Sequence, residues 1–455
     1  MPISLPLRRA SVLGLVLLSI GCGGGVQRPG SATPSTEQTL SELFNLSAVY
    51  QRIGRIAASG PMPFVGALGF AAGSGDSTIT KVGLSFENHA FAFQRDPGSF
   101  STRFRVEYSF QRSGAEPVAA TRDEIIRVRS FQETQRSDES VIVEQGFLLA
   151  PGAYTLSITV RDPASAVFSR AEKSIEVPAF APGSITPPIL VYEARPRSTI
   201  SDSLSLLLNP RGTVATGGGD SLLMYVEGYR FSGPATVPIE VRDDRDSVVH
   251  RSQIAFVGGR GVEAHVIPVV SASPPLGELQ ILVGSGPSAQ RVSALVSFSR
   301  SWVVTSYENL LGLMRYFIWA PDRLAALRNA RAEDRPRLWR EFWTATDPIP
   351  ETAENEALDQ YFIRIAIANE RFRDEGGPGW RTDRGEVFIT LGEPDQVLET
   401  PPSSDRRRVQ WVYSTYRAAI LFEGTIGFSR LRMTPSSRSE FSRARTQAMR
   451  SIPGR

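Results

Sequence analysis

Apolar and polar residues alternate along most of this chain, and near residue 301 the period lengthens from two to nearly four. In "RFRVEYSF", Phe104, Val106, Tyr108 and Phe110 fall on one side of an extended strand, giving one buried and one wet face. "LLAPGAYTLSITVRD" repeats the alternation with Tyr154, Leu156, Ile158 and Val160 after a Pro151-Gly152 turn. A turn, then x-Tyr, then a strand is the pattern in which a tyrosine hydroxyl ties back to upstream backbone in an Ig-like sandwich. "KSIEVPAF" closes the set, and Pro178 ends its strand. Turn signals at roughly 8–12-residue spacing predict a β-sandwich over 61–182. The same style runs on through "ILVYEA", "SLSLLL", "SLLMYVEGYRF", "VPIEVRD", "VVHRSQIAF", "VEAHVIPVV", "LGELQILVG" and "VSALVSFS", predicting a second sandwich over 183–303.

From 304 to 435 the spacing predicts an α+β module of helices plus a small antiparallel sheet. "SYENLLGLMRYFI" carries Leu310, Leu311, Met314 and Phe317 on one face, and Pro321 opens a second helix at its tolerated first-turn position. A third helix presents Trp339, Phe342 and Trp343. The longest, "ETAENEALDQYFIRIAIANERFR", has Leu358, Tyr361, Phe362, Ile365, Ala368 and Phe372 as its stripe. Glu351, Glu354 and Glu356 sit at its start and Arg371 and Arg373 at its end, which complements the helix dipole. "EVFITLG", with Val387, Ile389 and Leu391 facing one way, reads as a strand, followed by a "GEPD" turn and strands containing Trp411, Tyr413 and "AAILFEG". Ahead of the sandwiches, residues 37–60 read as an amphipathic helix packed on the next domain. Residues 436–455 carry five arginines against one glutamate and read as a mobile basic tail.

The first 22 residues add a targeting segment: Arg8 and Arg9, then an uncharged run over 10–20. A helix of that run is about 16 Å long at ~1.5 Å per residue, against a ~30 Å hydrocarbon core, so it does not anchor by spanning. It ends in Leu18-Ser19-Ile20-Gly21-Cys22, and Cys22 is the sole cysteine, so no internal disulfide is available to it. The string resembles a bacterial lipobox, with the leucine one residue early. The resemblance implies cleavage before Cys22 and acylation of its thiol and new amine, which would make the membrane a partner. Gly23 follows where an aspartate marks inner-membrane retention, which favours the outer membrane, periplasmic side. Residues 23–36, "GGGVQRPGSATPST", have the composition of a flexible tether.

With 455 residues the chain exceeds one core. Net charge is +3, falling to +1 without Arg8 and Arg9, which argues against a nucleic-acid surface. His89, His250 and His265 stand singly, and no zinc spacing, G-x-S-x-G elbow, Walker loop or dinucleotide fingerprint occurs. Asp243, Asp244 and Asp246 in "RDDRDS" are interleaved with arginines and read as a solvated hairpin turn, not a calcium loop. No catalytic residue, metal ligand or cofactor is assigned.

One stretch is more specific. "LWREFWTATDPIPETAENEALDQYFIRIAIANERFRDEGGPGWRTDRGEVFITLGEPD" contains Gly379-Trp380-Arg381-Thr382-Asp383, then Arg384-Gly385 and Leu391-Gly392-x-Pro394-Asp395, with Asn355-Glu356 and Arg364-Ile365 upstream. This region, roughly 305–435, resembles the GWxTD-domain family of bacterial envelope proteins, which implies envelope location and carries no established activity. By chemistry alone, Gly376, Gly377 and Gly379 permit positive φ, and Trp380 is a plate able to close the helical core. Thr382 and Asp383 suit free loop N–H groups, with Arg384 or Arg364 as ion partners for Asp383. The leading reading is a lipid-anchored scaffold or interaction protein, with the sandwiches as spacers and the C-terminal module docking on envelope partners. Three alternatives stay open: an exposed Trp-Thr-Asp-Arg binding patch, an envelope-polymer enzyme using Glu356 and Asp383, and a ligand-binding module lined by Trp380, Trp339 or Trp411.

Overall fold

The computed structural model describes residues 45–134, 136, 141–216, 221–269, 274–299, 302–331, 333–352, 355–372, 377–400, 406–425 and 431–450. The leader, Cys22 and the tether lie outside them. Of the segment expected to be helical over 37–60, α1 (Leu46–Arg52) is helix, capped by the Asn45 side chain, and Ile56–Ala58 is already strand β1. Gly54, at φ +84°, turns the chain between the two.

β1 joins β2 (Phe64–Ala72), β3 (Thr78–Phe86) and, further on, β7 (Val141–Leu149) in a first sheet of order β1-β2-β3-β7. A second sheet holds β4 (Gln94–Asp96), β5 (Ser99–Gln111), β8 (Gly152–Arg161) and β9 (Phe168–Val177), with β6 (Val118–Val128) on the other side of β5. A turn of helix, α2 (Phe131–Thr134), follows β6. The predicted alternation holds: Phe104, Val106, Tyr108, Phe110, Leu156, Ile158 and Val160 meet Val82, Leu84 and Phe86 in one core. The Tyr154 hydroxyl donates to the Ala150 carbonyl at 3.1 Å, the tie-back its position after the turn implies.

The second sandwich pairs a sheet of β10 (Ile189–Arg195), β11 (Ser205–Leu208), β13 (Leu223–Tyr229) and β16 (Val262–Pro268) with a five-stranded one. The latter contains β12 (Thr213–Ala215), β14 (Ala235–Arg242), β15 (Val248–Phe256), β17 (Gly277–Val283) and β18 (Gln290–Ser297), all antiparallel except β12 on β18. The aspartate-rich turn between β14 and β15 is closed by the Asp243 carboxylate, which accepts the Arg245 and Ser247 N–H groups at 2.9 and 2.8 Å.

The two sandwiches are stacked, making four layers. Lys81, Gly83 and Ser85 face away from the first core, toward β11 and the residues after it. A Cβ on Gly83 would sit 2.9 Å from Leu208 Cβ, and one on Gly69 3.2 Å from Ile189, so glycine lets the sheets approach this closely. Polar links ring the contact: Lys81–Glu144 at 2.8 Å, with Glu144 accepting the Leu208 N–H, and Arg211–Glu87 at 2.9 Å. At one end Arg197 and Glu227, 1% and 0% exposed, pair at 2.6 Å. Tyr225 and Tyr229 donate to the same carboxylate, and burial with that charge beside them pushes both phenols' pKa up. The cluster reaches across, since the Arg197 guanidinium donates to the Ala72 carbonyl at 2.7 Å and the Tyr229 oxygen accepts the Ala72 N–H at 2.8 Å.

The C-terminal module carries α3 (Tyr307–Leu313), α4 (Pro321–Arg328), α5 (Arg335–Thr346), α6 (Glu356–Arg371) and α7 (Asp383–Leu391). It ends in β19 (Gln396–Thr400), β20 (Arg406–Tyr413), β21 (Ala418–Thr425), β22 (Arg432–Met433) and α8 (Pro435–Ala448). The sheet is antiparallel in that strand order, and one core joins it to the helices.

Two expectations are corrected. "EVFITL" is not a strand: α7 starts at a Thr382 cap and stops at Gly392, φ +88°, and its residues are buried nearly all round, which hides a helical stripe inside a β-branched run. Nor is 436–455 a mobile tail over its described part. α8 inserts Phe441, Ala444 and Ala448 into the core, and its Ser437 and Glu440 side chains accept the Leu421 and Ala419 N–H groups at 2.8 and 3.1 Å. The helix thereby covers an edge of β21 that two-residue β22 leaves open.

Candidate functional site

The Gly-Trp-Arg-Thr-Asp stretch sits where α6 hands over to α7. Gly379–Arg381 is a single 3-10 turn behind Pro378. Gly377 and Gly379 do not adopt positive φ, and Gly376 lies outside the described residues. The reason for glycine is contact. A Cβ at Gly379 would lie 2.4 Å from the Ala368 carbonyl oxygen in α6, and one at Gly385 2.3 Å from the Gly379 carbonyl oxygen. Backbone therefore touches backbone on both sides of the turn.

This closeness drives Trp380 inward. It is 1% exposed, with its ring edge-on to Tyr316 at 6.2 Å and the Arg381 guanidinium 5.0 Å over its face. Trp380 is thus the plate closing the helical core and not a surface hot spot. Trp339 and Trp411 are likewise buried in the core. The Thr382 hydroxyl accepts the Gly385 N–H at 3.0 Å and donates to the Gly379 carbonyl at 2.8 Å, starting the helix and pinning the turn together.

Asp383 pairs with neither Arg384 nor Arg364. Its carboxylate accepts the Met433 N–H at 2.8 Å and faces Arg438 at 3.3 Å and Arg432 at 3.9 Å, tying α7 to β22 and α8. Arg384 is 8% exposed and lies 4.8 Å over the Phe372 ring. Arg364 instead caps the far end of α7, donating to the Ile389 carbonyl at 3.4 Å beside Gly392, and burial lowers its pKa. A residue the sequence reading missed completes the cluster: Glu386, one turn past Asp383, shares Arg438 at 3.7 Å. Burial pushes its carboxyl pKa up, Arg438 opposes the shift, and Asp383 adds to it.

The remaining motif residues are also fold-makers. Asn355, fully buried, caps α6 by accepting the Leu358 N–H at 3.0 Å, and its amide donates to Trp343 O and Thr346 Oγ1 at 2.9 and 3.0 Å. Glu356 accepts the Thr352 hydroxyl at 2.6 Å and, among the described residues, shares no partner with Asp383. Pro394 and Asp395 turn the chain into β19, where the Asp395 N–H donates to Val412 O at 2.9 Å and its carboxylate accepts the Ser414 N–H. Cys22 lies outside the described residues. Among these residues no cluster of three or more His, Cys, Asp or Glu is placed to hold a metal ion.

Residues 282–450 match the family model of the GWxTD domain, a span that takes in β18, the last strand of the second sandwich, and α8. No curated protein matches the chain. Among solved structures, a trypsin-activated alpha-2-macroglobulin from Escherichia coli is similar at 12% identity over 54% of this chain and 18% of that one, with a TM-score of 0.16. The matched part thus spans under a fifth of that protein, and so low a score carries no argument about this one.

Proposed function

We propose that this GWxTD-domain chain is a lipid-anchored protein of the bacterial cell envelope, held by Cys22 on the outer membrane facing the periplasm. It works there as a scaffold or interaction protein whose C-terminal module docks on envelope partners. One observation carries the scaffold reading: the motif's side chains are spent on building the module. Trp380 plugs the core, Thr382 caps α7, and Asp383 holds β22 and α8. Glu356 is held by the Thr352 hydroxyl, and Asp383 by the Met433 N–H with Arg438 and Arg432 beside it. Anchoring is supported by the uncharged leader ending at a solitary cysteine and by the Gly/Pro/Ser tether after it. No helix among the described residues is long and apolar enough to cross a membrane, so lipid on Cys22 would supply the attachment.

Cys22→Ser is expected to move the protein from the membrane pellet to the soluble fraction, and continued retention in the pellet refutes the anchor. Crosslinking followed by pulldown from gently solubilised envelopes is expected to recover a reproducible partner; recovery of the protein alone, across growth conditions, counts against the scaffold.

A further inference from the structure

The second sheet contains a gap. β5 pairs with β6 along its length, but on its other side it pairs first with β4 (Gln94 to Ser101) and then with β8 (Arg105 to Arg161). Over Thr102, Arg103 and Phe104 that side has no strand partner among the described residues. At ~3.3 Å per residue this is a notch roughly 10 Å long in the edge of a sheet. Because successive residues turn their N–H and C=O to opposite sides and β6 takes one side, only one or two of the three residues present ladder groups to another extended chain here.

A cleft of about 650 Å³ opens at the notch, within the size range of small-ligand sites. Its floor is apolar, with Met62 and Phe91 from the sandwich core, Phe93 beside them, and Val167 and Ile125 at the rim, 40% and 48% exposed. Its charge is uneven. Further along the same face of the sheet each arginine has a carboxylate, Arg105 with Asp123 at 2.7 Å and Arg161 with Glu107 at 3.0 Å. At the cleft, Arg127 makes no ion pair among the described residues, and Arg103 makes none either, although its charge reaches Asp123 and helps to lower that carboxyl's pKa. The one carboxylate in the wall, Asp162, accepts the Ala164 N–H and Ser165 hydroxyl of its own turn.

We propose that this cleft binds an extended peptide segment of a partner protein, one with a carboxylate next to an apolar side chain. The peptide backbone adds at the Thr102–Phe104 notch, its apolar side chain enters over Met62 and Phe93, and its carboxylate meets Arg103 and Arg127. Strand addition supplies the affinity and the flanking pockets the choice of sequence. The site names the chemistry of one partner for the scaffold reading above, and it is distant in sequence from the GWxTD domain.

The test is selection of displayed random short peptides on the full chain in detergent micelles. Enriched peptides are expected to carry Asp or Glu beside an aliphatic or aromatic residue. They should bind roughly tenfold more weakly to Arg103→Gln/Arg127→Gln, as the loss of a charged hydrogen bond implies. Ala92→Trp, which fills the cleft from an exposed position and leaves both arginines in place, should abolish binding. Unchanged unfolding midpoints establish that the variants fold. Three outcomes overturn the proposal: no enrichment over Ala92→Trp, enriched peptides indifferent to all three substitutions, or dodecanoate held in the cleft with no peptide selected, which reassigns it to an amphiphile. The Cys22→Ser chain should select the same peptides, so failure of the anchor and failure of the cleft are read separately.

Discussion

Gly379 and Gly385 illustrate how a residue can be required for space and not for its dihedral freedom. Each lies where a single methyl would enter a carbonyl oxygen of the neighbouring backbone, and neither needs positive φ. Gly385→Ala is expected to destabilise the C-terminal module by about 2–3 kcal/mol, the upper range for overpacking, because backbone cannot move aside as a side chain can. Denaturant unfolding followed by tryptophan fluorescence measures it, and a loss below about 0.5 kcal/mol, the scale of ordinary surface changes, removes the explanation. Glu386 supplies a pH dependence. Its carboxyl pKa is raised in the folded state, chiefly by burial, so the folded protein binds more protons than the unfolded chain between the ordinary glutamate value and the raised one. Stability from this group is present in full below the unfolded value and is lost as pH rises through the folded one. Glu386→Gln should flatten that decline, read as unfolding free energy against pH, and a parallel decline in both proteins would clear Glu386 of it.

At the scale of elements, α7 shows both what the sequence makes legible and what it hides. Val387, Ile389 and Leu391 alternate as in a strand, and β-branched residues strengthen that reading. The opposing signals are short: Thr382-Asp383 at one end and Gly392 at the other, a helix start and stop that outweigh alternation once the helix is buried on every side. α8 fails differently, because Phe441 is its only large core residue and the arginines around it read as solvent. Its partners, the N–H groups of Ala419 and Leu421, belong to another element and leave no periodic trace. The roles of Trp380 and Thr382 were legible because plugging and capping are local. The partners of Asp383 were not, since Arg438 is brought in by the fold alone. Phe441→Ala is expected to cost about 3–5 kcal/mol, and a chain ending at Thr434 should lose the folded module, seen as rapid proteolysis within 305–434. Equal protease resistance with and without α8 would return that segment to the status of a tail.

For the whole molecule, length and alternation indicate several domains and two sandwiches, but alternation also predicts one wet face per sheet. β2 and β13 depart from that, being buried on both sides almost throughout. The trace in the sequence is an absence: "FVGALGFAA" offers no polar residue where a wet face would have one, and glycine and alanine stand there instead. Stacking through those small residues removes water from two adjacent sheets that belong to different sandwiches. Amide hydrogen exchange reports that exclusion, because groups open only with the cooperative unit that shelters them. The slowest amides are expected in β2, β3, β10 and β13 together, and Glu227→Gln, which strips the charge partner from Arg197 at the Ala72 contact, should speed all four strands in concert. The last part of this protein to open would then straddle the linker after residue 178, so the unit of stability is the central pair of sheets and neither sandwich alone.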